Sequence, residues 1–167
     1  MLALPLAVMI LAAHTLAPAD RAAASTASRV PTTELYALAV ARLLGDERAD
    51  SAWVVPTAAL GDLGVRQRAG AGPAHRASIA EARQVVARLS RSGRHPIRGV
   101  RAALRRDDAL QLVLGEIRVE PPVNPTFARL RIGVVGSGGE RRTLEFLLKR
   151  EAAGWRVLNM EDAESIG

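Results

Sequence analysis

The C-terminal third of the chain alternates apolar and polar residues with a period of two. The alternation runs through residues 110–119, 128–134, 144–148 and 155–159, with Gly- or Pro-containing turns between the runs. Within the first run the phase shifts at Gly115, which predicts a β-bulge or bend there. A period of two places one face of each strand in a core and the other in solvent. The pattern predicts an antiparallel β-meander.

The alternation also assigns side chains to the two faces of this meander. Trp155 and Val157 fall on one strand face, and we expect Trp155 to be largely buried. The polar positions are mostly charged, and we expect cross-strand charge pairs among Arg129, Arg131, Glu145, Lys149 and Arg156.

A first helix is predicted over residues 35–44, where apolar residues recur at approximately helical spacing. Thr32 or Thr33 can cap its start, and Gly45 is the expected stop. Residues 52–55 then form a short apolar run that ends at Pro56, which indicates a strand.

A second helix is predicted from Ser78 to the Ser92-Gly93 step. Ser78 and Glu81 have the spacing of a capping box, in which each side chain bonds the backbone N–H of the other residue. Its apolar stripe consists of Ile79, Ala82, Val85, Val86 and Leu89. Two helices packed on a curved antiparallel meander make an α+β fold.

The first 24 residues have the character of a signal peptide or an N-terminal anchor. Residues 1–13 are an apolar run, shorter than the roughly 20 residues of a transmembrane helix. The Lys or Arg that usually precedes the apolar core of a signal peptide is missing. Two small-x-small steps suited to signal peptidase follow within residues 17–24. We expect export to the periplasm or the exterior, with an uncleaved anchor as the alternative. Residues 25–31 then act as a linker, and residues 32–167 form a single domain.

The net charge of +6 suggests an anionic partner but names none. Arginine is spread along the whole chain with Asp and Glu among it, and aromatic residues make up only 3%. The basic positions Arg66, Arg68 and Arg76, and a second group at Arg98, Arg101, Arg105 and Arg106, have no aromatic platforms nearby. We therefore expect a solvated basic face rather than a nucleic-acid site.

The order helix, strand, helix, bent meander resembles the cone-shaped fold of the nuclear transport factor 2-like and cystatin-like superfamilies. The last hairpin, residues 146–157, runs through Lys149 into Gly154-Trp155-Arg156-Val157 and is similar to that of small exported bacterial proteins. The resemblance implies the fold alone, because no His/Asp or Tyr/Asp set of that fold's enzymes can be matched here.

The candidate catalytic residues are few: Tyr36, His75 and Glu116 are the groups that an enzyme could use as an acid or base. His75 and His95 lie in Gly/Pro-rich contexts, and we expect exposed loop histidines without a role. With no Cys and no His pair at helical spacing, no metal or cofactor is expected.

Two further motifs have ordinary structural explanations. Asp107-Asp108 is expected to form a turn, since neighbouring strand residues point to opposite faces. Residues 136–139 are Gly-rich but lack the Lys and the following helix of a phosphate loop, and predict a hairpin turn. The connection over residues 57–76 is long enough to carry function.

Three functions therefore stay open, in this order. The first is a non-catalytic exported domain that binds a small ligand or a partner protein. The second is an enzyme with a small pocket at the mouth of the sheet. The third is an electrostatic binder of anionic polymers or surfaces. The sequence does not indicate the oligomeric state.

Overall fold

Among the residues that the structure describes, two helices and seven strands make up the α+β fold. A computed structural model describes residues 31–47, 51–57, 74–94, 96–105, 109–121 and 125–163. The helices are α1 (Thr32–Asp46) and α2 (Ile79–Ser92). The strands are β1 (Ala52–Pro56), β2 (His75–Arg76), β3 (Ile97–Val100), β4 (Leu110–Glu120), β5 (Phe127–Val135), β6 (Arg141–Glu151) and β7 (Gly154–Asp162).

The strands form one mixed sheet in the order β3-β1-β4-β5-β6-β7, and β2 pairs with β4. The antiparallel meander predicted from the alternation is β4 to β7. The predicted short strand is β1, but it lies parallel to both β3 and β4, so the sheet is not purely antiparallel. In the described part of the chain the sheet is open, with β3 and β7 at its edges.

Both helices contribute to a single core on one face of the sheet. The core side chains of the meander are those of the predicted apolar positions, including Leu112, Leu130 and Phe146, and they cluster with Leu35 and Val85 of the helices. Burial of such apolar surface, at about 25 cal/mol per Å², is the main stabilising contribution.

Helix α1 differs from the sequence prediction at both ends. It begins at Thr32 after Pro31 without a side-chain cap, and it continues through Gly45 to Asp46. A methyl group at Gly45 would meet no atom within 4 Å. Gly45 is thus a helix residue rather than a stop.

Helix α2 matches the prediction closely. The capping box of Ser78 and Glu81 is present, and Gly93 ends the helix in the left-handed conformation with φ 62°. Ala82, Val85 and Leu89 are buried as expected. Ile79 is not, since it is 42% exposed; it lies in the first turn, ahead of the part of the helix that faces the core.

The predicted bulge at Gly115 is confirmed. The pairing of β4 with β5 shifts between Leu114 and Ile117. A Cβ on Gly115 would lie 2.6 Å from the carbonyl oxygen of Arg131, closer than such atoms approach. The close contact between β4 and β5 at this bulge therefore requires glycine.

The assignments to the two sheet faces are confirmed, and so are the expected charge pairs, with one exception. Trp155 is 9% exposed, and Glu145 pairs with both Arg129 and Arg131 at 3.3 and 3.0 Å. However, Lys149 lies directly opposite Arg156. The two-residue turn after Glu151 fixes this register, so Arg156 instead pairs with Glu151 at 3.0 Å.

Several sequence predictions concern residues outside the described ranges. These are the signal segment and linker, most of the 57–76 connection, His95, and the Asp107-Asp108 turn. Within the described ranges, no helix combines the length and apolar character needed to cross a membrane.

Candidate functional site

The three residues singled out as possible acids or bases meet in one corner of the fold, around the bulge of β4. The hydroxyl of Tyr36, on α1, donates a 2.5 Å hydrogen bond to the carbonyl oxygen of Gly115. Glu116 is the next residue, and β2 pairs with this part of β4 so that His75 lies opposite Ile117. The prediction that His75 lies in a loop is wrong, because His75 is the first residue of strand β2.

The centre of this corner is a carboxylate, that of Glu81 on α2. Its Oε1 lies 2.6 Å from Nε2 of His75 and accepts a 2.7 Å hydrogen bond from the Thr32 hydroxyl. Its Oε2 accepts bonds of 3.0 Å from both the backbone N–H and the hydroxyl of Ser78. We call these four residues, Thr32, His75, Ser78 and Glu81, the Glu81 network; it joins both helices to β2.

The pKa values of the corner reflect this bonding. Burial raises the pKa of Tyr36 far above its usual value, and the charges of Glu81 and Glu116 raise it further. A hydrogen bond from the Ala77 backbone acts in the opposite direction but is outweighed. Burial also disfavours the charged form of Glu81, but bonds from Ser78 and Thr32 and the nearby His75 outweigh it and lower its pKa. Tyr36 is therefore neutral and Glu81 ionised at neutral pH.

This arrangement does not make a nucleophile and base pair among the described residues. The Ser78 hydroxyl bonds Glu81 and accepts from the Glu81 N–H, so it caps α2 rather than facing His75. The Tyr36 hydroxyl proton is directed at a backbone carbonyl. General-base activation requires the nucleophile itself within hydrogen-bond reach of the base. The geometry is that of a structural junction.

Glu116 is the remaining candidate, and it is 8% exposed. Its carboxylate faces the guanidinium of Arg118 two residues on, at 3.4 Å. An opposite charge at this distance offsets part of the cost of burying the carboxylate. In the described ranges, no group of three or more His, Asp or Glu residues is arranged to hold a metal ion.

A different feature stands out as a binding surface: an open groove between the two helices. It has a volume of about 370 Å³. Its lining comes from α1, from α2 and from the residues just after α2: Ala37, Leu38, Ala41, Arg88, Leu89, Ser92 and Arg94. We call it the interhelical groove. Sequence reasoning missed it because it depends on how the two helices are placed relative to one another.

The interhelical groove has an apolar floor and a cationic rim. Ala37 and Ala41 are short, so the two helices leave a depression between Leu38 and Leu89. The two charged side chains that line it, Arg88 and Arg94, are exposed, and neither has an ion-pair partner within the described ranges. The surface therefore combines apolar contact with positive charge.

The outer face of the sheet is the other charged surface, and most of its basic side chains already lie in ion pairs. Glu145 lies between Arg129 and Arg131, and these contacts outweigh the burial that would raise its pKa, so its pKa is lowered. Arg118 and Arg156 each pair with a glutamate. Four basic side chains of this face, unlike Arg88 and Arg94 of the groove, are therefore already held by glutamates.

Comparison of the chain with protein-family models, with curated proteins and with solved structures finds no match.

Proposed function

We propose that this chain is a non-catalytic, exported binding module. Its interhelical groove takes a segment of a partner protein in which apolar side chains are followed by Asp or Glu. The observation that supports this proposal is the pairing of an apolar floor with two arginines, Arg88 and Arg94, that lack ion-pair partners in the described ranges.

The shape of the groove favours a polypeptide over a small ligand. Sites for small molecules bury about 70–90% of the ligand surface. The interhelical groove is open, and its floor runs between two helices, with Leu38 on one side and Leu89 on the other. An apolar side chain of a partner segment can enter between them over Ala37 and Ala41, while the rest of the segment lies across the rim.

The charge of the groove selects the sign of the partner. Guanidinium groups form strong, often bidentate hydrogen bonds with carboxylates. Among the described residues Arg88 and Arg94 have no acidic partner, whereas Arg42 at the neighbouring turn of α1 is held by Asp46 at 3.2 Å. A basic segment would place like charges together, which disfavours binding.

The bonding around Tyr36 supports the non-catalytic part of the proposal. Tyr36, His75 and Glu116 each contact a group of the fold itself, respectively Gly115, Glu81 and Arg118. An enzyme at this corner is the runner-up function. Replacing His75 and His95 together by Ala distinguishes the two: a binding module keeps its partner affinity, whereas loss of an activity with an unchanged melting curve would favour the enzyme.

Export and the cone-like shape belong to the same proposal. We expect residues 1–30, fused to a reporter that is active only outside the cytoplasm, to confer activity. Recovery of the chain with its N-terminus intact from the cytosolic fraction would contradict this. The bent β4–β7 meander, with its bulge at Gly115, is compatible with the nuclear transport factor 2-like or cystatin-like cone.

The binding proposal can be tested by photo-crosslinking in cells. A photoreactive phenylalanine replaces the half-buried Leu38 in the groove or, as the control, Phe127, which is exposed on the opposite face of the sheet. We expect an adduct from position 38 alone, and mass spectrometry should locate it in a partner segment with apolar residues and Asp or Glu.

The same experiment in the Arg88→Glu/Arg94→Glu variant should lose the adduct. An adduct from position 127 alone, or at position 38 with a basic segment, would contradict the proposal. So would an adduct at position 38 that survives the double charge reversal.

A further inference from the structure

Strand β7 forms an edge of the sheet, and its far side has no partner strand among the residues that the structure describes. An exposed edge strand presents unpaired N–H and C=O groups that can pair with another strand. Leu158, in the middle of β7, is 42% exposed. We propose that two copies of this chain join through their β7 edges, antiparallel, to form one continuous sheet.

The backbone of β7 presents its outward groups at defined positions. Ala163 donates its N–H to the Thr143 carbonyl at 2.8 Å, so residues 159, 161 and 163 bond toward β6, and Met160 and Asp162 point away from it. At the other end, Glu151 and Gly154 close a two-residue turn, which directs the groups of Trp155 and Val157 outward.

A bulge in β7 fixes which register a second copy can take. Leu147 lies opposite Asn159 and Leu148 opposite Val157, so Leu158 is an extra residue. As a result Arg156 and Glu161 lie on the same face of the sheet although they are five residues apart. Their cross-strand partners, Lys149 and Glu145, are four residues apart on β6 and therefore share a face. Without the bulge they would lie on opposite faces.

A suitable register must bring together side chains of the same sheet face, backbone groups that both point outward, and opposite charges. Only the register with Arg156 opposite Glu161 of the second copy meets all three conditions. Val157 then faces Met160, so that outward backbone groups meet outward groups. Twofold symmetry repeats the Arg156–Glu161 pair on both sides of the axis. The two copies of Leu158 lie next to the axis and cover each other.

Two residues of the same copy, Asn159 and Glu151, compete with this pairing, and Asn159 also donates its Nδ2 to Oε2 of Glu161 at 3.4 Å. Asn159 uses its Oδ1 to accept the outward N–H of Met160 at 2.9 Å. Arg156 is paired with Glu151 at 3.0 Å and is exposed enough to turn toward the second copy. Replacing Asn159 by Val removes the first competitor and should tighten the dimer by several-fold or more, about the strength of one hydrogen bond.

Sedimentation equilibrium of the purified protein measures the dimer. Arg156→Glu and Glu161→Arg should each weaken it by about tenfold or more, because two attractive pairs become repulsive. The double variant should restore it. Arg141→Glu, which makes the same charge change at an exposed position of β6 far from Arg156, should not weaken it. Far-UV circular dichroism checks that each variant is folded.

The register is tested by disulfide formation, since the chain has no native Cys. Arg156→Cys combined with Glu161→Cys should give covalent dimers on oxidation, because opposed residues approach to within disulfide distance. Lys149→Cys with Glu161→Cys is the control and should give none. A protein that stays monomeric, including with Asn159→Val, would overturn the proposal. So would a dimer that is insensitive to both charge reversals or a 156–161 pair that does not crosslink.

Discussion

Tyr36 links α1 to the bulge of β4, and Tyr36→Phe removes this link while keeping the ring. The side chain has no exposed surface. Its hydroxyl donates to the Gly115 carbonyl at 2.5 Å. Leaving a buried partner without its hydrogen bond costs about 1–3 kcal/mol. We therefore expect the free energy of unfolding at pH 8 to fall by about that amount.

The same substitution should change how stability depends on pH. The folded pKa of Tyr36 is raised by burial, whereas in the unfolded chain it is about 10. Stability from this group is complete below pH 10 and is lost as pH rises above it, because the unfolded chain then releases a proton that the folded protein keeps. One group contributes about 1.4 kcal/mol per pH unit. The wild-type protein should thus lose about 2–3 kcal/mol more than Tyr36→Phe between pH 10 and 12.

Urea melts at pH 8, 10, 11 and 12 measure both effects, and the difference between the two proteins cancels other titrating groups. Tyr36 is the only tyrosine of the chain, so tyrosinate absorbance reports it alone. We expect that absorbance to appear only when the protein unfolds. A folded protein in which Tyr36 ionises near pH 10, or a stability difference that is constant with pH, would refute the reasoning.

Three further predictions concern other parts of the fold. Trp155→Ala should cost about 3–5 kcal/mol in denaturant melts because the ring is buried in the core, and a loss below about 1 kcal/mol would contradict its position there. Gly115→Ala should destabilise the fold by about 1–3 kcal/mol, because the new methyl group clashes with the Arg131 carbonyl. Gly45→Ala, in an uncrowded helix position, should stabilise the fold by about 0.5–1 kcal/mol. Denaturant melts that rank the two variants in the opposite order would mean that the bulge is misassigned. Because the pKa of Glu81 is lowered, its ionised form stabilises the fold above pH 4–5, roughly the unfolded pKa, and this is lost as pH falls through the folded pKa. The stability difference between wild type and Glu81→Gln should therefore shrink on acidification, and a difference that does not shrink between about pH 5 and 3 would count against the network.

The parts of the fold that the sequence predicts are those set by local chemistry. The capping box at Ser78, the left-handed Gly93 and the alternation of the meander depend on neighbouring residues. The phase shift at Gly115 marked the bulge for the same reason. Each of these needs only short-range spacing to be recognised.

The parts that were missed depend on contacts between distant segments. Strand β2 has two residues and β3 has four, too short for any alternation, and both exist through pairing with β4 and β1. The continuation of α1 through Gly45 reflects space that only the folded structure defines. The register that places Lys149 opposite Arg156 is set by a turn two residues away from each.

The candidate site shows the same division. Sequence reasoning selected Tyr36, His75 and Glu116 one by one, and the structure brings them to one corner of the fold. It also recognised Glu81, but only as a cap. The additional bonds of Glu81 to Thr32 and His75 span up to 49 residues, which no local spacing indicates.

The most direct test of the binding account is a titration followed by methyl NMR at Ala41 and Leu89. The probes are two helical peptides with the same leucines, one with Glu and one with Lys at all charged positions. We predict that the Glu peptide shifts both methyl signals, that the Lys peptide does not, and that Arg88→Glu/Arg94→Glu reverses this preference. No shift with either peptide, or shifts that do not depend on the sign of the peptide's charge, would contradict the interhelical groove as the binding site.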